Sequence, residues 1–333
     1  MERQELKSAT FSFDALSRFR TTLMGLAALN VMLLHIFQNF ELLGSDILFY
    51  MFESGADMFM LLSGFGLFYS VDKGFSLPAY IKKRFMRIYP EYFLSCALYA
   101  VLFGTGVLWF IKYITTAGYW MSDTTLFWFY AIIVVLYIFY PVIHKIIKRS
   151  DTGTVILIIS IIAVEIILSC FVDEFYWEKA IALARIPVFI AGALIAKRVK
   201  YGGISIKSEK VLYFVIGAMA SILLTIPAGR HYRFVLLPWS VCITVVTAFI
   251  FTKCKSNNLV VKVFNGLGKL SLQIYLLHGM LTEFLITRTF VGRFNTSWGI
   301  VVTTVFALAS SILMKMICDR LRQMSNIRAK KAQ

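Results

Sequence analysis

Met24-Gly25-Leu26-Ala27-Ala28-Leu29-Asn30-Val31-Met32-Leu33-Leu34-His35 is an apolar run closed by a single histidine. Worked outward, it lies in an apolar segment from about 21 to 40, and ~20 residues is the length a helix needs to cross a bilayer. Hydrocarbon offers imidazole no water. A histidine inside such a helix therefore marks a functional site or hydrogen-bonds a neighbouring helix. The stretch alone leaves both readings open.

The rest of the chain repeats this pattern. Of 333 residues, 59% are hydrophobic and 16% charged, and the mean hydropathy is +0.75. A soluble domain carries roughly 25% charged residues. The short alternating segments of a membrane barrel are not seen. The expected fold class is an all-α polytopic membrane protein. We place ten spans, at about 21–40, 50–70, 90–111, 125–144, 152–170, 179–196, 211–226, 234–252, 267–287 and 298–317. The first has no small-residue cleavage site after it and is read as uncleaved. A polar leader (1–20) precedes the ten-helix domain (21–318), and a basic tail (319–333) follows it.

A net charge of +16 could point to nucleic acid. Its distribution argues otherwise. With both termini cytoplasmic, the inward segments hold 27 of the 34 Lys and Arg residues and the outward loops six. That is the positive-inside asymmetry, and it removes the reason to invoke nucleic acid as a partner. The cysteines, Cys96, Cys170, Cys242, Cys254 and Cys318, are scattered and form no CxxC, so neither a disulfide framework nor a metal site is expected.

Depth follows from orientation. His35, Asp57, Glu165 and Arg185 fall at one level, roughly 8–10 Å beneath the outer surface at 1.5 Å per helical residue. Charges there face one another or a wet cavity; the alternative is plain structural pairing, such as Glu165 with Arg185. At the opposite face, Tyr80-Ile81-Lys82-Lys83-Arg84-Phe85-Met86-Arg87-Ile88-Tyr89-Pro90 connects spans two and three, and Pro90 suits the first turn of span three. Arg84 and Arg87 share a helix face, and guanidinium pairs grip phosphate oxygens. The alternative is an inner-face stop signal or a contact to anionic lipid. His144 reads as interfacial at the end of span four, and His278 lies mid-span.

With these residues in view, the chain resembles the acyltransferase-3 family of integral membrane acyltransferases. Gly25-Leu26-Ala27-Ala28 through His35 is similar to the family's opening Arg-Gly-Leu-Ala…His helix. Gly55-Ala56-Asp57-Met58-Phe59-Met60-Leu61-Leu62-Ser63-Gly64-Phe65 resembles its Gly-Val-Asp segment. Arg84-Phe85-Met86-Arg87-Ile88-Tyr89-Pro90-Glu91-Tyr92 is similar to its Arg-x-x-Arg-Ile-x-Pro-x-Tyr motif. Trp128-Phe129 with Tyr137 to Pro141, Arg185-Ile186-Pro187-Val188-Phe189 with Gly192, and Ser271-Leu272-Gln273-Ile274-Tyr275-Leu276-Leu277-His278 complete six elements in order. One position departs: Met24 stands where the family has an arginine eleven residues before the histidine. Arg20, one turn earlier, could substitute by reaching inward.

The resemblance implies transfer of an acyl group, usually acetyl, from cytosolic acyl-CoA to a hydroxyl on a surface glycan or lipid-linked sugar. It implies donor contacts from Arg84, Arg87, Arg20 and Ser63. His35 would be the general base, with a covalent acyl-His intermediate as the other route, and Asp57 would orient its ring. Arg185, Glu165 and His278 would meet the acceptor. Two rival readings remain: a transporter with a polar midmembrane pathway, which predicts inverted repeats, and an inactive family member, motivated by Met24. Oligomeric state is not legible.

Overall fold

The computed structural model describes residues 10–42, 44, 46–72, 74, 76–121, 126–172, 179–254, 258–289 and 296–331. Residues 1–9 of the expected leader and 332–333 of the expected tail lie outside the described residues. A short strand β1 (Thr10–Ser12) and helix α1 (Asp14–Arg18) precede α2 (Arg20–Asn39), α3 (Asp46–Val71) and α4 (Leu77–Phe103). Two short helices, α5 (Val107–Ile114) and α6 (Ala117–Met121), lead to α7 (Trp128–Arg149) and α8 (Asp151–Phe171). Then come α9 (Ile186–Tyr201), β2 (Ser205–Lys207), α10 (Ser208–Ala228), a 3-10 helix (Gly229–Leu236), α11 (Leu237–Lys253), α12 (Leu259–Lys269), α13 (Ser271–Arg288) and the long α14 (Thr296–Lys331). β1 pairs antiparallel with β2, with Phe11 opposite Ile206. Three-residue strands leave no periodic signal, so the sequence reading missed this ribbon.

Among the described residues, six helices are long and apolar enough to cross a membrane, by length and composition. The α12–α13 pair, bent by 74°, makes a seventh if it is one span. The ten spans of the sequence reading are not all met on that criterion. α3 and α4 are long enough, at 26 and 27 residues, but carry charged side chains within them.

α4 also differs in where it begins. The sequence reading left the cationic stretch on a connection and put Pro90 in a first turn. Instead the helix starts at Leu77, with Pro78 in its first turn, and Pro90 lies inside it. Proline has no N–H for the carbonyl four residues back. That carbonyl, of Met86, accepts from Nε of Arg322 at 3.3 Å, and the Arg87 carbonyl accepts from its Nη2 at 3.2 Å. The same guanidinium pairs with both Glu91 carboxylate oxygens at 2.6 Å. An arginine of α14, remote in sequence, thus satisfies the helix where its proline interrupts it.

Small residues bring the central helices together, as expected where lipid gives helices no hydrophobic reason to associate. A Cβ on Gly64 of α3 would stand 1.9 Å from the Phe189 carbonyl oxygen of α9, and one on Gly192 would stand 2.0 Å from that of Leu61. Gly25 of α2 and Gly268 of α12 make the same kind of contact. The ninth span of the sequence reading, 267–287, coincides with α13, which meets α12 at a bend at Leu270, and α12 has no buried residue although its backbone lies on α2. Just beyond α3, Asp72 ties that helix to Lys148 of α7 at 2.9 Å and to Lys200 and Tyr201 of α9. His144, read as interfacial, is buried beside it, Nε2 at 3.7 Å.

Candidate active site

Two cavities meet at Tyr275. The first, of about 180 Å³, is lined by Arg20, Lys83, Arg84 and Arg87 with no carboxylate among its lining residues. Of the four cations from Lys82 to Arg87 only Arg84 is buried, because its side chain turns between Ser70 of α3 and Tyr137 of α7. Its Nη2 donates to Ser70 Oγ at 2.5 Å, and its guanidinium lies 5.6 Å from the ring centres of both Tyr80 and Tyr137. Aromatic faces offset part of the cost of burying that charge. Arg20, the first residue of α2, turns into the same space: its Nε donates to the Leu62 carbonyl at 2.9 Å. Gly66 makes room for it, since a Cβ there would come 2.5 Å from Arg20 Cζ. Met24 and Ser63 line this cavity too. The position where the family has arginine is apolar here, and an arginine one turn earlier enters its cavity.

The second cavity, of about 360 Å³, is lined by His35, Asn39, Tyr99, Trp128, His278 and Glu283, with Tyr275 in its wall. The His35 and His278 rings lie 5.1 Å apart. Nδ1 of His278 is 2.8 Å from the Ile274 carbonyl oxygen. A carbonyl only accepts, so Nδ1 carries the proton and Nε2 the lone pair. That Nε2 is buried and has no partner among the described residues. Asn39 fixes the end of α2 by donating to the His35 carbonyl at 2.8 Å.

Tyr275 forms the wall between the cavities. Its hydroxyl accepts the Phe129 N–H at 2.9 Å, one of the first-turn donors of α7 that no helical carbonyl can reach. Phe127, just before that helix, has φ 59°, a left-handed conformation of the kind that clusters at functional sites. It turns the chain so that Trp128 faces the second cavity and Phe129 the first.

Beside the second cavity lies a buried ionic network. Arg185 Nε is 3.2 Å from Asp57 Oδ1, and its Nη2 is 3.1 Å from Glu53 Oε1. Arg233 also pairs with Glu53, and Ser240 Oγ donates to Asp57 at 3.0 Å. The Arg185 guanidinium lies 4.7 Å from the Trp128 ring centre. Two carboxylates and two guanidiniums neutralise one another here, as buried charges require.

The structure therefore brings together Arg20, Ser63, Arg84 and Arg87 in one cavity, and His35 and His278 in the other. Asp57 engages Arg185 and Ser240, and no hydrogen bond joins it to His35 among the described residues. Arg185 is held in this network and is not among the described residues that line the histidine cavity. The Glu165–Arg185 pair offered as the structural alternative is not formed, since Arg185 pairs with Glu53 and Asp57. Glu165 is 2% exposed, and neither of its carboxylate oxygens has a partner among the described residues. Sequence reasoning missed Glu53, although it precedes Asp57 by one turn and so shares its face. It also missed Arg233, Ser240, and the role of Tyr275 as the shared wall.

The sequence model of a family described as "Acyltransferase domain" matches residues 23–316. No curated protein and no solved structure matches the chain.

Proposed function

The chain belongs to the acyltransferase-3 family, and from that premise we propose that it moves an acyl group, acetyl in the first instance, from cytosolic acyl-CoA to a hydroxyl of an extracytoplasmic glycan or lipid-linked sugar. The observation that carries the reading is the pair of cavities meeting at Tyr275, one cationic and one holding two imidazoles. An acyl-CoA is polyanionic at one end and bears its thioester on a long thin arm. Arg84, Arg87 and Arg20 hold the phosphates, Ser63 lines the path of the arm, and the thioester passes Tyr275 toward His35. Met24 then leaves the donor site intact, because Arg20 supplies the missing guanidinium.

In this reading the ten-span topology has both termini in the cytosol. α3, α4 and α10 count as spans, together with the six apolar helices and the bent α12–α13 pair. The first cavity opens to the cytosol and the histidine cavity faces outward, in the cell's plasma membrane. His35 takes the proton as the sugar oxygen attacks the thioester carbonyl. The carbon–sulfur bond breaks, and the CoA thiolate leaves and regains a proton. Imidazole suits this work because its pKa lies near the operating pH. His278 Nε2 accepts a hydrogen bond from the acceptor hydroxyl. Glu53, Asp57 and Arg185 hold the wall behind Trp128. Mass analysis of surface glycans from cells with and without the protein tests the reading: an acetyl ester present only with the protein is expected, and identical glycans would overturn it.

A further inference from the structure

We propose that a third cavity, at the N-terminus of α4, binds the 3′-phosphate of the donor's nucleotide; this rests on the acyl-CoA reading above. The cavity measures about 410 Å³ and is lined by Ser70, Gly74, Ser76, Ala79, Lys83 and Arg84. It shares Ser70, Lys83 and Arg84 with the first cavity, so Arg84 stands between the two.

Three features point to an anion there. Arg84 is only 5% exposed, and while its Nη2 is used by Ser70, its Nε is buried with no partner among the described residues. A buried guanidinium N–H left open is costly and is relieved by an acceptor oxygen. The 27-residue α4 begins at this cavity, and Ser76 makes no side-chain cap to it. The Leu77 and Ala79 N–H groups, which no carbonyl of their own helix can reach, and the positive end of the helix dipole lie at this cavity and suit an anion. Among the described residues, no carboxylate lines the cavity. The nearby Asp72 is already paired with Lys148 and Lys200.

The order of groups along the donor selects which phosphate. Its arm enters the first cavity toward Tyr275, which places the diphosphate at Arg87 and Arg84. The next anionic group outward is the phosphate monoester on the ribose. It falls on the far side of Arg84, where this cavity lies, beside the Ser76 hydroxyl and Lys83.

The test compares binding of CoA and 3′-dephospho-CoA to the purified full-length chain in lipid nanodiscs, by calorimetry. Wild type is expected to bind CoA about tenfold more tightly, a difference of about 1.4 kcal/mol. Ser76→Asp places a carboxylate where the phosphate would lie, and aspartate is a favoured N-cap, so the helix is kept. It should erase the preference by weakening CoA alone, and Lys83→Ala should reduce it. Equal affinity of wild type for the two ligands, or a preference unchanged in Ser76→Asp, would overturn this site while leaving the donor reading in place. Failure of wild type to bind either ligand would overturn the donor reading and this site with it.

Discussion

His35 of α2 and His278 of α13 face each other across one cavity, ring centres 5.1 Å apart and planes inclined by 45°. His278 is locked by the Ile274 carbonyl with its lone pair on Nε2, which has no partner among the described residues. In the proposed reaction the acceptor hydroxyl satisfies it. The two imidazoles therefore have separable roles. His35→Ala should lower kcat for acetyl transfer by about 10²–10⁴-fold, the usual worth of a general base. His278→Ala should act mainly by raising the KM for the acceptor. Acetyl-CoA binding should be unchanged in both variants. A kcat unaffected by His35→Ala would remove it from the chemistry.

Two glycines on the same helix separate a site effect from a packing effect. A Cβ at Gly66 meets the far end of the flexible Arg20 side chain, whereas one at Gly64 meets the backbone carbonyl of Phe189. Gly66→Ala should displace Arg20 and weaken acetyl-CoA binding by about tenfold, the loss of a charge-assisted contact, with little change in Tm. Gly64→Ala should instead force α3 from α9 and cost about 2–3 kcal/mol of stability. Calorimetric binding and thermal unfolding in detergent would distinguish them, and the reverse pattern would refute the assignment of Arg20 to the donor cavity.

Arg322 carries the interruption at Pro90. It satisfies the Met86 and Arg87 carbonyls and neutralises Glu91, which is 1% exposed. Removing one partner of a buried pair leaves an uncompensated charge, at a cost of about 3 kcal/mol. Arg322→Ala should lower thermal stability accordingly. Arg322→Lys should recover only part, because an ammonium cannot span two carbonyls and a carboxylate as a planar guanidinium does. The double variant Arg322→Met with Glu91→Gln should be more stable than Arg322→Ala alone. If all three unfold together with wild type, the clamp contributes nothing.

Acid should loosen the knot below α3. Burial pushes the Asp72 carboxyl up, but hydrogen bonds from Lys200, Tyr201 and Lys148 outweigh it and hold it well below the usual carboxylate range. A group depressed in the folded state stabilises above its unfolded pKa, about 4, and loses that contribution as pH falls toward its folded value. The Tm difference between wild type and Asp72→Asn should be constant above about pH 5 and should narrow below about pH 4. A difference that persists undiminished into acid would show that the carboxylate charge is not what ties α3 to α7 and α9.

The linear order of residues was enough to read a helical membrane bundle, because apolar runs of bilayer length have one economical solution in lipid. It also placed His35, Arg84 and Arg87 among the groups worth following, since a bare run of hydrocarbon side chains makes every interruption conspicuous. Pairing was another matter. Asp57 sits at the depth that would suit His35, yet its oxygens are taken by Arg185 and Ser240. Glu165 and Arg185 share a level and do not meet. Depth along a helix is counted in residues, but the direction a side chain faces depends on how helices rotate and close on one another, through contacts such as Gly64 with Phe189. The same holds for α4, where Arg322, more than two hundred residues away, let a helix continue through a proline that local propensity would make a boundary. Only tertiary packing made one wall of Tyr275 and put the cationic cavity on one side of it and both imidazoles on the other.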